Sequence, residues 1–126
     1  MNKYVLDTGA LIAAERRKPR AVRFFDLADV GVARLFVPYP VLAEWWRGRT
    51  DVRDEILASI QVIATIDVAK AAGAALAHVT GVDAKLTIDA IVMAAAALAD
   101  AVVVTQDPHD FDRLGAYFPG VTVISA

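Results

Sequence analysis

Short β-branched runs alternate along this chain with longer stretches of helical character, and that alternation restricts the fold more than any other feature. The runs cover residues 4–6, 34–37, 61–66, 101–105 and 121–124. Candidate helices lie over 11–15, 20–30, 40–47, 51–59, 69–79 and 86–99. Parallel strands need a crossover between them and a helix supplies it, so the pattern predicts an α/β layer fold with a mostly parallel sheet. Pro40 suits a first helical turn, and Asp67 is the expected N-cap of the helix after it. Phe111, Leu114 and Phe118 recur at helical spacing, which predicts a short amphipathic helix before the last strand. Alanine fills 25 of 126 positions, and side chains this small let helices lie close to one another and to a sheet. With no repeat, linker or low-complexity tract, residues 1–126 read as one domain.

Composition narrows the chemistry. A hydrophobic content of 57% over 126 residues supports a real core and excludes disorder. The absence of cysteine excludes disulfides, thiolate zinc sites and cysteine nucleophiles. His78 and His109 are the only imidazoles, and Ser59 and Ser125 the only serines, neither in a nucleophile-elbow sequence. The N-terminus passes from Met1-Asn2-Lys3 directly into Tyr4-Val5-Leu6-Asp7 with no apolar stretch of signal length. The longest apolar run, 90–99, is far short of the ~20 residues of a membrane span. A soluble cytoplasmic protein without a membrane partner is expected.

Most of the 15 acidic residues sit among other polar groups. Asp7 and Asp107 do not: Asp7 directly follows one expected strand and Asp107 comes just after another, at the sheet edge where open α/β sheets bind ligands. Glu44 is the only charge between Leu35 and Trp46, and Asp89 the only charge between Leu86 and Ala99. A carboxylate in such an apolar helix is costly to bury unless it is paired or bound to metal, and neither segment contains a Lys or Arg. Two ionised carboxylates ~5 Å apart repel by roughly 3 kcal/mol at an effective dielectric of ~20. A cluster of four therefore calls for a compensating cation, and an all-oxygen set suits Mg²⁺ or Mn²⁺. Simpler roles compete: Asp7 as a cap for the helix opening at Thr8-Gly9, Asp107-Pro108 as an Asx turn, and Asp110 as an N-cap. Trp45 and Trp46 read as core or subunit-contact residues, and His109 as solvated.

The net charge of −2 argues against a general nucleic-acid binder, but the distribution of the bases is uneven. Arg16, Arg17, Lys18, Arg20 and Arg23 form one group; Arg47, Arg49 and Arg53 form a second, immediately after Glu44. Both could flank the acids. A metal site with basic flanks suits phosphodiester cleavage, the metal on the scissile phosphate and the flanks on its neighbours. The competing reading of the first group is a solvated, charged loop.

These residues resemble the PIN-domain ribonucleases, and among them the VapC-like toxins of bacterial toxin-antitoxin pairs. The matching pieces are Tyr4-Val5-Leu6-Asp7-Thr8, Leu42-Ala43-Glu44-Trp45, Ile88-Asp89-Ala90-Ile91, and Val104-Thr105-Gln106-Asp107-Pro108-His109-Asp110-Phe111. They occur in order over essentially the whole chain. The resemblance implies a PIN-like three-layer sandwich, with a five-stranded, mostly parallel sheet between helices. It also implies a homodimer, a VapB-like antitoxin that masks the site, and Mg²⁺- or Mn²⁺-dependent cleavage of RNA. It assigns catalysis and metal binding to Asp7, Glu44, Asp89 and Asp107, and makes Thr8 and Thr105 supporting polar residues. Asp112 adds a further acid beside Asp110, so the fourth ligand is left between Asp107 and Asp110. RNA contacts would fall to Arg16, Arg17, Lys18, Arg20, Arg47 and Arg49. Two other readings use the same acids: a structure-specific DNA nuclease of the same fold, and a phospho-acceptor signalling domain. The second lacks the Lys it needs near the strand ends at Thr105 or Ile124.

Overall fold

The computed structural model describes residues 2–126, so residue 1 of the expected unit lies outside it. Five strands form one sheet: β1 (Asn2–Leu6), β2 (Ala33–Pro38), β3 (Ile60–Ile63), β4 (Val102–Thr105) and β5 (Val123–Ser125). The helices are α1 (Thr8–Glu15), α2 (Pro19–Asp29), α3 (Tyr39–Trp45), α4 (Asp51–Ser59), α5 (Ile66–Leu76) and α6 (Ala84–Ala99), with a 3₁₀ helix over Pro108–Leu114. The strand order is β3-β2-β1-β4-β5, and every pairing is parallel.

This order fixes where a site can form. From β1 the chain winds outward through β2 to β3, then returns across the sheet to β4 and continues to β5. Right-handed crossovers therefore put α1 to α4 on one face and α5 and α6 on the other. The packing agrees: α1 lies against α2, α3 and α4, whereas α6 lies against α5 and strands β1, β2 and β4. The winding reverses between β1 and β4, which pair from Tyr4 with Val102 to Leu6 with Val104. A crevice opens at that point beyond the carboxyl ends of the two strands.

The central strands are covered on both faces, which explains their unbroken apolar sequence: Val5, Val37, Val103 and Val104 are fully buried. On α6, Ala90 and Ala94 are also fully buried, and their single methyl groups let the helix lie close against its neighbours. The edge strands β3 and β5 are short and part-exposed, which limits the unpaired backbone they present. Among the described residues no helix is long and apolar enough to cross a membrane.

Several element ends differ from expectation, each for a local reason. The run 61–66 is strand only as far as Ile63. Thr65 then caps α5, its hydroxyl accepting from the Val68 N–H at 3.2 Å, so Asp67 lies in the first turn and is not the cap. Helix α1 begins at Thr8, directly after its cap. Helix α3 ends at Trp45, because Trp46 is extended. The last helix is of 3₁₀ type and stops at Leu114, but Phe111, Leu114 and Phe118 are all buried as their spacing implied. Asp110 stands in its first turn; the cap position is Asp107, whose side chain makes no capping bond.

Candidate active site

Asp7 is placed by the shortest possible connection from strand to helix. It follows the last residue of β1 and is the N-cap of α1, its Oδ1 accepting from the Ala10 N–H at 2.9 Å. Its Oδ2 accepts from the Thr105 hydroxyl at 2.5 Å. Thr105 is the last residue of β4, 2% exposed, and its Oγ1 also accepts from the Asp107 N–H at 3.2 Å. One hydroxyl thus ties together the two strand ends flanking the reversal. The capping role foreseen for Asp7 and the site role coexist, since a carboxylate oxygen has lone pairs for both.

The remaining acids come from three other elements. Glu44, on α3, accepts from the Thr8 hydroxyl. Asp89 points inward from α6 and is 8% exposed. Asp107 and Asp110 open the 3₁₀ helix. Asp7, Thr8, Gly9, Glu44, Lys85, Ile88, Asp89, Thr105, Asp107 and Asp110 line one cleft of about 310 Å³. All the predicted acids and both threonines are therefore brought together. The predicted reason for Glu44 needs correction: it is exposed at the rim, and α3 buries Val41 and Trp45 instead, so Glu44 bears no burial cost. The reasoning applies to Asp89.

The cleft is electrostatically strained toward negative charge. Burial raises the Asp7 carboxyl above its usual range, against the lowering effect of the bonds from Thr105 and Ala10; nearby Asp110 adds repulsion. Burial pushes Asp89 up to about 6, although Lys85 pulls the other way. Asp89 is not without a base: Lys85, one residue outside the stretch 86–99, places its Nζ 3.2 Å from Asp89 Oδ2 and 2.8 Å from Asp110 Oδ2. The hydrogen bond to Asp110 raises the Lys85 pKa and keeps it charged. A sequence window closed at Leu86 misses it, although its spacing of four from Asp89 is the helical ion-pair signal.

The donor set fits a hard divalent cation: all ligating atoms are carboxylate oxygens, two of them on groups that burial makes reluctant to ionise alone. As the side chains stand, among the described residues no three Asp, Glu or His groups converge closely enough to hold an ion. Lys85 occupies the place of positive charge between Asp89 and Asp110.

None of the six predicted RNA-contacting bases lines the cleft. Lys18 places its Nζ 3.1 Å from Oε1 of Gln106, the residue before Asp107. Arg17 pairs with Glu55, Arg49 with Asp54, and Arg47 bonds the Trp46 carbonyl at 2.7 Å. Arg16 and Arg20 are exposed. Arg53, of the second group, pairs with Glu15 at 3.0 Å. Glu15 also accepts from Trp45 Nε1 at 3.0 Å, fastening α3, and with it Glu44, to the end of α1.

The sequence matches the family described as PIN domain over residues 4–117. No curated protein sequence matches it significantly. Among solved structures it is similar to VapBC from Salmonella typhimurium bound to DNA, with a TM-score of 0.69, 20% identity and coverage of 99% of this chain and 98% of that one. VapBC2 from Rickettsia felis, bound to a fragment of promoter DNA, gives 0.68 at 16% identity and 98% of both chains. VapBC-1 from nontypeable Haemophilus influenzae gives 0.62 at 15% identity, covering 98% and 97%.

Proposed function

The chain belongs to the PIN domain family, and from that premise we propose that it is a divalent-metal-dependent endoribonuclease, the toxin of a toxin-antitoxin pair. PIN domains are generally nucleases. The observation that carries the reading is the single cleft at the reversal of strand order, lined by Asp7, Glu44, Asp89, Asp107 and Asp110. Asp7, Glu44 and Asp89, with Asp107 or Asp110, would hold Mg²⁺ or Mn²⁺. When bound, the ion would supply Lewis-acid polarisation of a phosphoryl oxygen and a lowered pKa for a water.

The chain's own groups do the rest. Asp7, fixed from two sides by Thr105 and the Ala10 N–H, would orient the attacking water. Thr8 positions Glu44 at the rim. Lys18, held beside Gln106, would attract a neighbouring phosphate. Neither His78 nor His109 lines the cleft, so acid-base chemistry by a histidine pair has no support. The likeness to VapBC complexes supports a VapB-like antitoxin; that the toxin is a homodimer acting in the cytoplasm is part of the same proposal.

The test is cleavage of single-stranded RNA, with flap DNA in parallel, in Mg²⁺, Mn²⁺ or EDTA. Wild type cleaves RNA only with metal, and Asp7→Asn and Asp89→Asn do not. Undiminished cleavage by a folded Asp7→Asn protein overturns the assignment. Preferential cleavage of the flap moves the substrate to DNA.

A further inference from the structure

Lys85 stands in the acidic cleft without an assigned role. Its side chain is 66% exposed, yet its ammonium bridges Asp89, on its own helix, and Asp110, on the opposite wall. Among the described residues no other Lys or Arg forms an ion pair with either acid. Those two carboxylates belong to the donor set that a divalent ion would use. An ammonium between them and an ion on them are mutually exclusive by charge. The displaced group has no alternative acid on α6, whose only carboxylate is Asp89. It remains tethered at the cleft by a flexible four-carbon stem, a compact charge with three donors free to take a new anion. The anion that enters this cleft in the proposed reaction is a phosphodiester.

We propose that Lys85 is a transferable cation: it neutralises Asp89 and Asp110 in the metal-free protein, a divalent ion displaces it, and the freed ammonium holds a phosphate oxygen of the bound strand. This rests on the nuclease reading. Lys85 is then a substrate-binding residue whose resting contacts also weaken metal binding, so that metal and RNA load cooperatively.

The experiment is Mn²⁺ titration by calorimetry, without RNA, of wild type, Lys85→Met and Lys85→Arg, each checked for folding by circular dichroism. Lys85→Met binds Mn²⁺ about tenfold more tightly than wild type, whereas Lys85→Arg, which keeps the charge, stays within about threefold of it. A fluorescein-labelled single-stranded RNA is then bound in Ca²⁺ at several salt concentrations. Lys85→Met lowers the slope of log K against log[salt] by about 0.7, the signature of one lost phosphate contact. Equal or weaker Mn²⁺ binding by Lys85→Met overturns the proposal, as does an unchanged salt slope. Mn²⁺ binding by none of the three proteins overturns the nuclease reading and this proposal with it.

Discussion

Asp89→Asn makes the metal-free protein more stable while removing its activity. The side chain is 8% exposed, and its carboxyl is raised from 3.8 to about 6, chiefly by burial. Above pH 6 the fold therefore holds a carboxylate that would be more comfortable protonated. A rise of that size corresponds to about 3 kcal/mol at face value, and screening through the open cleft brings it to about 1–2 kcal/mol. Asparagine has nearly the shape of the protonated acid and carries no charge. The sign follows from the raised value: wild-type stability is fully present below pH 3.8 and is lost as pH rises through about 6. Thermal and urea melts in EDTA are the assay. At pH 7.5 the Asn variant melts about 4–8 °C above wild type, taking about 4 °C per kcal/mol for a domain of this size. At pH 4 the two coincide. Saturating Mn²⁺ reverses the order, stabilising wild type by about 2.7 kcal/mol at a hundredfold excess over Kd. An Asn variant less stable than wild type at pH 7.5 in EDTA, or a difference that does not change with pH, refutes the reasoning.

The other side chains of the site and its supports give sharper contrasts. Asp7→Asn keeps the helix cap and remains within about 0.5 kcal/mol of wild type without cutting RNA, whereas Asp7→Ala loses about 1 kcal/mol more, read by urea denaturation. Thr105→Val orphans the Asp107 N–H and removes the donor to Asp7, costing about 1–2 kcal/mol and raising the pH needed for cleavage, seen in a pH-rate profile. Glu15→Ala removes the ion-pair partner of Arg53, whose Nε is already buried without a partner and which keeps the Gly48 carbonyl, and leaves the Trp45 indole N–H without its acceptor. The pair is part-exposed, so the loss is about 3 kcal/mol in total, a fall of about 10 °C in Tm. A double-mutant cycle with Trp45→Phe separates the two contacts.

The fold was legible because the central strands are buried on both faces, so their β-branched runs stand out from the helical segments around them. The element ends were less so. A run such as 61–66 is β-branched throughout, and only the hydroxyl of Thr65, turned back onto the Val68 N–H, decides where strand gives way to helix. The acids could be picked out by their isolation in apolar surroundings. That criterion located Glu44 for a reason that does not hold, since a helix can be apolar in sequence and still leave one side in water. It also concealed Lys85, which lies outside the apolar stretch but reaches back over a helical turn. The tie from Glu15 to Trp45 and Arg53 joins residues 30 or more positions apart in three helices, and no local pattern encodes it.

The buried alanines of α6 let the helix that carries Asp89 lie against β1, the strand that leads into Asp7. Ala90 and Ala94 have no spare room, so a larger side chain at either would lever the whole rod outward and carry the carboxylate with it. A substitution with no polar atom, at Ala94 more than a turn beyond Asp89, would then register as a change in which ion radius the proposed metal site prefers. These methyl groups act as a shim, and any coordination chemistry in the cleft would inherit its tolerance from hydrocarbon thickness.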